Sequence, residues 1–365
     1  MTTRPFGHVR VPFKRIHVEL TNVCDFNCVF CPKSLMDRKY GYMDPDLAKR
    51  VIDEIKAKDL AEKITFHVMG EPTLHPQFFE ILDHAVARQL PVGLTTNAGG
   101  LSGPVGQRLL TYHLAQIDLS LQTPDARSFA LRKAKNLSFE QYLAGILEFF
   151  SAYRYDFRDT VFKFRFLNTT FPPKSMEEKT GPILVISSAR ELREVFSFWT
   201  SRIYDIMEVD PAQKARALER VRKLAPWKWN VVEVLPNTFF ETYLLSDWGN
   251  ALSGKPVREA WAGYCFGMRD HFAVLHNGDV TLCCIDFNGK TAIGNVHDAT
   301  LTEILSGGEL GAIMDGFRKY KLVHPFCRHC LGSTSFLSWL TKPILSLGAL
   351  RLLKPYFYKH TRLYA

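Results

Sequence analysis

Three thiols within eight residues, Cys24-Asp25-Phe26-Asn27-Cys28-Val29-Phe30-Cys31, constrain this 365-residue chain more than any other stretch. They stand at i, i+4 and i+7, just after Ile16-His17-Val18-Glu19-Leu20, whose alternation reads as a β-strand. The thiols therefore ride on a loop leaving a strand. Three thiolates on one loop can wrap one inorganic cluster and leave a metal position unfilled. Thiolate is the usual protein ligand of iron–sulfur clusters. A closed zinc site wants a fourth ligand, and none lies nearby in sequence. A disulfide scheme leaves one thiol over and belongs to secreted chains.

Downstream the pattern alternates strand and helix. Residues 44–60 read as a helix, with Asp44 as N-cap, Pro45 in the first turn and Leu47, Val51 and Ile55 on one face. Strands are expected at 64–68, 92–97, 117–121 and 161–166, and helices at 76–88, 104–112 and 138–152. Repeated βα units argue for a parallel sheet with helices outside and sites at the C-terminal strand ends. Cys24, Glu71, Asn97, Ser120 and Asn168 all fall at such ends. Phe171-Pro172-Pro173 then breaks the pattern. Helices are expected at 189–207 and 211–224, and Asn230–Leu235 reads as the sixth strand. The helical material of 171–229 is longer than a barrel needs. It reads as an insertion, either a lid or contact surface or a solvated segment without function.

A second cysteine group comprises Cys265, Cys283, Cys327 and Cys330. Asn277-Gly278-Asp279 within an apolar alternation marks a hairpin between the first two. By count, four thiolates suit zinc and an iron–sulfur cluster equally, although a zinc ribbon more often shows two Cys-x2-Cys knuckles. Cys284 should point away from Cys283 and reads as a small buried hydrophobe. Asp286 could accept a substrate proton or bond its own loop backbone.

Hydrophobic residues at 46% and charged residues at 23% are those of a globular protein. The N-terminal stretch has no apolar run of a secretory signal, and no segment offers about eighteen uninterrupted apolar residues. Eight cysteines then imply a reducing cytoplasm and metal ligation. The net charge of +9 resides wholly in the last fifty residues, which hold nine cations and no carboxylate. Such a block implies an anionic partner or surface. Phe336, Leu337, Trp339, Leu340, Ile344, Leu345, Leu347, Leu350, Leu352 and Leu353 interleave with those cations, and Pro343 and Pro355 divide the segment. A basic stretch of this kind can lie in a membrane interface at the inner face of the membrane, or pack on the barrel and close its open edge. Nothing in it has the spacing of a nucleic-acid recognition motif, so a nucleic-acid-binding iron–sulfur protein is the weakest alternative.

Cys24-x3-Cys28-x2-Cys31, with Phe30 before the last thiol, resembles the signature of the radical S-adenosylmethionine (SAM) superfamily. The resemblance implies a partial (β/α)6 TIM-like barrel whose three cysteines hold a [4Fe–4S] cluster that chelates SAM. One electron, from a flavodoxin- or ferredoxin-type donor, then cleaves SAM to methionine and a 5′-deoxyadenosyl radical that takes hydrogen from substrate. Met69-Gly70-Glu71-Pro72 stands where the family has Gly-Gly-Glu-Pro and contacts the SAM amino group, with Met69 replacing the first glycine. Ser120 and Arg132 resemble a pair that binds the SAM carboxylate, and Asn97 and Arg165 are expected to line the pocket. Cys265-x12-Gly278-x4-Cys283 with Cys327-x2-Cys330 resembles the shortened SPASM, or twitch, domain, as do Trp248-Gly249-Asn250 and Ile293-Gly294-Asn295-Val296. That domain implies one auxiliary [4Fe–4S] cluster, hence two clusters in all. The expected organisation is a barrel over 1–240, a cluster domain over 241–333 and a basic amphipathic tail over 334–365. The expected activity is hydrogen abstraction from an unactivated C–H bond of a small alcohol, sugar-like or lipid-linked, with oxidation through the auxiliary cluster. A maturase acting on a peptide or protein residue is the alternative. A redox-neutral rearrangement is also compatible.

Overall fold

The computed structural model describes residues 3–170, 176–177, 180–224 and 231–352, with side chains through Gly348. The expectations for Phe171-Pro172-Pro173, for Asn230 and for the tail beyond 352 lie outside the described residues.

A short hairpin, β1 (Arg4–Phe6) and β2 (Val9–Val11), precedes the main sheet. Six parallel strands follow: β3 (Arg15–Val18), β4 (Ile64–Phe66), β5 (Val92–Thr96), β6 (Gln116–Gln122), β7 (Val161–Asn168) and, past an edge strand, β9 (Thr238–Leu244). The helices between them are α1 (Pro45–Ala57), α2 (Phe78–Ala87), α3 (Pro104–Leu109), the short α4 (Ala126–Phe129) and α5 (Phe139–Asp156). Their starts are chemically marked. Asp44 accepts from the amides of Asp46 and Leu47 ahead of Pro45, and Ser138 and Gln141 form a reciprocal capping box.

Each strand alternates by face, and both faces are covered. Phe162, Phe164 and Phe166 of β7 are buried with Phe150 of α5 and Phe240 of β9. Lys163 and Arg165 take the alternate positions, as Gln116, Asp118 and Ser120 do on β6 and Thr65 on β4. One face thus packs against helices, and the other turns ionisable groups into the barrel.

Two expectations are corrected here. Val231–Leu235 is not the sixth barrel strand. It is β8, antiparallel to β9, and β9 is the strand that pairs in parallel with β7. The turn at Pro236-Asn237, with Asn237 at φ 56°, folds the two into a hairpin. Nor is all of 171–229 an insertion. Helix α6 (Ala189–Ile206) lies between β7 and β9 in sequence and packs on them through fully buried Phe196 and Trp199, whose Nε1 donates to the Pro124 carbonyl at 3.1 Å. It is the barrel's own crossover helix. Among the described residues that follow α6, α7 (Pro211–Arg222), mostly exposed, is additional.

The second cysteine region adds to the same sheet. Strand β10 (His271–Val274) pairs in parallel with β3, and β11 (Asp279–Thr281) and β12 (Ala292–Asn295) continue antiparallel beyond it. A buried ion pair ties this extension down. Glu19 receives both Nη atoms of Arg38 at 2.7 and 2.8 Å, and the amides of Met69 and His276 at 3.2 and 3.1 Å. Burial raises the Glu19 pKa, but the bonds from His276 and Arg38 outweigh it and hold the carboxyl below its ordinary value. Helices α8 (Leu301–Leu305), α9 (Gly308–Arg318), α10 (Pro325–Cys330) and α11 (Phe336–Leu352) complete the chain. No described helix is long and apolar enough to cross a membrane.

Candidate functional site

The loop carrying Cys24, Cys28 and Cys31 leaves β3 at the C-terminal end of the sheet. It is held by its backbone. Asn27 and Val29 donate to the carbonyls of Arg132 and Leu131, Cys31 to that of Cys28, and Lys33 Nζ donates to the carbonyls of Cys24 and Phe26 at 2.7 and 3.2 Å. All three thiols are free. Burial, then the nearby Glu71 carboxylate, pushes Cys24 up to about 11, and burial pushes Cys31 up to about 12 despite a Lys33 backbone bond. Thiolates cannot gather here without a compensating cation, and metal binding supplies one.

Gly70, at φ 72°, backs this loop. A Cβ there would lie 2.3 Å from the Thr21 carbonyl oxygen and 2.7 Å from that of Val23. The glycine is thus required by the approach of the chain leading into the thiols. Glu71 is buried, and burial raises its pKa to about 7. It accepts from the Asn97 amide at 2.6 Å and from Thr73 Oγ1 at 2.8 Å, while its own amide donates to Val23. Asn97 in turn donates to Asp25 Oδ1 at 2.6 Å and lies 3.7 Å from Cys24 Sγ. Cys24, Gly70, Glu71 and Asn97 therefore form one assembly.

Ser120 and Arg132 also meet, but not as an open pair. The fully buried Arg132 guanidinium donates through Nη1 to the backbone carbonyls of Ser120, at 2.6 Å, and of Leu121, and stacks 4.7 Å over the Phe26 ring. Most of its fork is thus committed to strand ends, and its Nε has no partner. Arg165 projects into the barrel between Asp118, at 3.7 Å, and Glu241, at 3.5 Å, with its side chain 29% exposed.

The four later thiols come from three segments. Cys265 precedes β10, Cys283 follows β11, and Cys327 and Cys330 lie on α10. Burial raises all four, and Cys327 and Cys330 reach about 12, each pushed further by Cys265. Trp248-Gly249-Asn250 explains itself in this setting. A Cβ on Gly249, at φ 67°, would lie 2.8 Å from Cys330 Sγ, and Asn250 Nδ2 caps the His329 and Cys330 carbonyls at 2.7 and 3.2 Å. Trp248 Nε1 donates to the Phe30 carbonyl at 3.1 Å, beside Cys31. One tripeptide therefore touches both thiol sets.

Asp286 is fully buried near Cys327 and Cys330, and its carboxylate clasps its own loop. It accepts from the amides of Lys290 and Thr291 at 3.0 and 2.6 Å and from Thr291 Oγ1 at 2.8 Å. Cys284 packs against a hydrophobic cluster that includes Ala273 and Leu275, and it also lies near two imidazoles. Its sulfur and one ring nitrogen each of His17 and His271 all lie within 4.8 Å of one another. His67 stands against His17, whose Nδ1 is 2.6 Å from Thr65 Oγ1. Burial lowers all three imidazoles, His67 and His271 to about 4. Asp118, Glu241, His17, His67 and His271 escaped sequence reading. For His17 and Asp118 the signal was alternation of polar and apolar side chains along β3 and β6.

Two family models match the chain. The radical SAM superfamily model covers residues 18–162, and an iron–sulfur cluster-binding domain model, SPASM, covers residues 265–331. The chain thus carries a radical SAM domain over residues 18–162 and a SPASM-type domain over residues 265–331, and these domains imply iron–sulfur clusters and SAM. Among curated relatives it is similar to an AdoMet-dependent heme synthase of Methanosarcina barkeri, 30% identical over 55% of this chain and 55% of that one. It is also similar to the mycofactocin maturase MftC of Mycobacterium tuberculosis, 32% identical over 28% and 26%. A third is the S-adenosyl-L-methionine-dependent 2-deoxy-scyllo-inosamine dehydrogenase of Niallia circulans, 41% identical over 17% and 25%. The matched stretches thus span between a quarter and about half of these relatives' own lengths. Streptococcus suis SuiB bound to S-adenosylmethionine shares the fold, with a TM-score of 0.52 at 14% identity over 88% of this chain and 72% of that one. Native anSMEcpe with bound AdoMet gives 0.50 at 14% identity over 96% and 100%.

Proposed function

We propose that Cys24, Cys28 and Cys31 hold a SAM-binding [4Fe–4S] cluster and that Cys265, Cys283, Cys327 and Cys330 hold a second, auxiliary one. The enzyme then abstracts hydrogen from a carbon bearing a hydroxyl group in a small, sugar-like or lipid-linked substrate. The observation that carries this reading is Trp248-Gly249-Asn250, which joins the two thiol sets at the end of a barrel lined with ionisable groups. When bound, the two clusters and SAM supply hydrogen-abstracting power at one site and an electron acceptor at the other, and a flavodoxin- or ferredoxin-type protein supplies the initiating electron.

The residues supply the rest. Glu71 and Asn97 hold the first thiol loop in register, and Gly70 lets it close. Arg165, with Asp118 and Glu241, offers a polar surface suited to hydroxyl groups. Oxidation of a carbinol carbon to a carbonyl removes a hydrogen atom, an electron and the hydroxyl proton; the first two would fall to the bound groups, and the proton needs a base from this chain. Asp286, spent on its loop, is replaced in that last role by the chamber imidazoles of His17, His67 and His271. Burial keeps them neutral at pH 7, a state that has a free nitrogen lone pair, while the same burial makes each a weak base. We assign the protein to the cytoplasm, where thiols stay reduced.

The likeness to a mycofactocin maturase supports a second reading, modification of a peptide residue. Reduced enzyme, reconstituted without oxygen, should convert SAM to 5′-deoxyadenosine, and a Cys24/Cys28/Cys31→Ala variant should not. A small-molecule fraction of cell extract should accelerate that conversion, and a peptide fraction should not. Acceleration by the peptide fraction alone would favour the second reading.

A further inference from the structure

Helix α11 presents an apolar face to solvent. Phe336, Leu337, Leu340, Ile344 and Leu345 are 60, 69, 43, 58 and 69% exposed. At 100° per residue they fall within one half of the helix surface. Scattered exposed leucines are ordinary, but five large apolar side chains on one face of one helix mark an interaction surface.

The opposite side is already anchored. Pro343 is buried, Trp339 Nε1 donates to the Glu259 carbonyl at 2.7 Å, and Lys342 Nζ donates to the Gly332 carbonyl at 3.1 Å. The packing that could have turned the apolar residues onto the barrel is therefore made by other residues. The exposed face remains uncovered among the described residues.

We propose that this face seats the protein on the surface of an anionic lipid bilayer. Charge selects that occupant. From Gly316 to Ala365 the chain carries nine cations and no carboxylate, three of the cations, Lys354, Lys359 and Arg362, following the helix. Arg258 lies over the Phe336 ring, and the adjacent Glu259 is paired with Arg328 at 2.8 Å. A second copy of the chain would bring the same excess of cations, whereas an anionic leaflet supplies the opposite sign. Seventeen residues make a helix of about 25 Å, interrupted by Pro343 and not apolar enough to cross a bilayer. A helix with one exposed apolar face and cations following it in sequence can lie in the interface plane, its apolar side chains among the acyl chains. The auxiliary thiols on α10, a few residues before α11, would then stand near the lipid surface, where a lipid-linked substrate would be met.

The test is co-sedimentation of the full chain with vesicles of phosphatidylcholine alone and of an equimolar phosphatidylcholine–phosphatidylglycerol mixture, at low and high salt. Each cation near an anionic leaflet strengthens binding about fivefold. The full chain should therefore bind the mixed vesicles at least about tenfold more tightly than the neutral ones, and salt should erase most of the difference. A Leu337→Ser/Leu340→Ser/Ile344→Ser variant alters only exposed side chains. It should lose at least about tenfold in affinity while forming 5′-deoxyadenosine at the unaltered rate. Binding equal on both vesicles, binding to neither, or binding unchanged in the variant would overturn the proposal. So would a concentration-dependent doubling of mass that the variant abolishes, which would assign the face to a second copy.

Discussion

The two thiol regions are built on opposite principles. The first is local: three thiols on one eight-residue loop, fixed by backbone hydrogen bonds from Asn27, Val29 and Cys31 and by Lys33. The second is assembled from three segments, the turn before β10, the end of β11 and helix α10. It closes only because Gly249 leaves room for Cys330 and Asn250 caps the helix that carries it. A local site survives loosening elsewhere in the fold, whereas an assembled one depends on the long-range contacts that bring its segments together.

The largest expected effect breaks the local site alone. Replacing Cys24, Cys28 and Cys31 by alanine should abolish 5′-deoxyadenosine formation while the four auxiliary thiols still take up iron. Loss of iron from both sites would show that they are one cooperative unit.

Glycine substitutions come next. Gly70→Ala and Gly249→Ala each force a side chain into left-handed backbone and into contact with a neighbouring atom, at 2.3 and 2.8 Å. Each should cost about 1–3 kcal/mol, read as a lower midpoint in thermal unfolding. The losses should divide by site, with SAM cleavage falling for Gly70→Ala and auxiliary iron for Gly249→Ala. Equal effects of both variants on both readouts would remove the distinction.

Glu19 joins the two regions. Glu19→Gln leaves Arg38 buried without its partner, and breaking such a pair costs about 3–5 kcal/mol. The ionised form is favoured by folding, so the contribution of Glu19 is full above its ordinary pKa and disappears as pH falls through the lower folded value. Wild-type and variant stabilities should therefore converge in acid. A difference independent of pH would point to packing instead.

The smallest effect should come from Asp286→Asn. An amide can keep part of the loop clasp, so SAM cleavage and product formation should both persist, with a modest loss in stability. Product formation lost while SAM cleavage continues would return the proton-acceptor role to Asp286.

What the sequence made legible follows the same division. Cys24, Cys28 and Cys31 stood within one turn of chain, and the βα alternation announced a parallel sheet, because both are written in local spacing. The extension of that sheet through β10 was not readable, since His271–Val274 pairs with Arg15–Val18 across most of the chain. Asn230–Leu235 alternated as a barrel strand should, yet the Pro236-Asn237 turn made Val231–Leu235 an edge strand. The role of Ser120 was read from its side chain, whereas Arg132 meets its backbone carbonyl. The nearness of Cys284 to His17 and His271 was not readable, since His17 comes from the far end of the chain.

Iron content tests the central claim most directly. Protein purified and reconstituted without oxygen should hold about eight irons per chain, as two [4Fe–4S] clusters require. Cys327→Ala/Cys330→Ala should hold about four and still bind SAM. Four irons in the unaltered protein, with stoichiometric zinc that disappears in the variant, would contradict the second cluster and leave the assembled site a structural zinc centre.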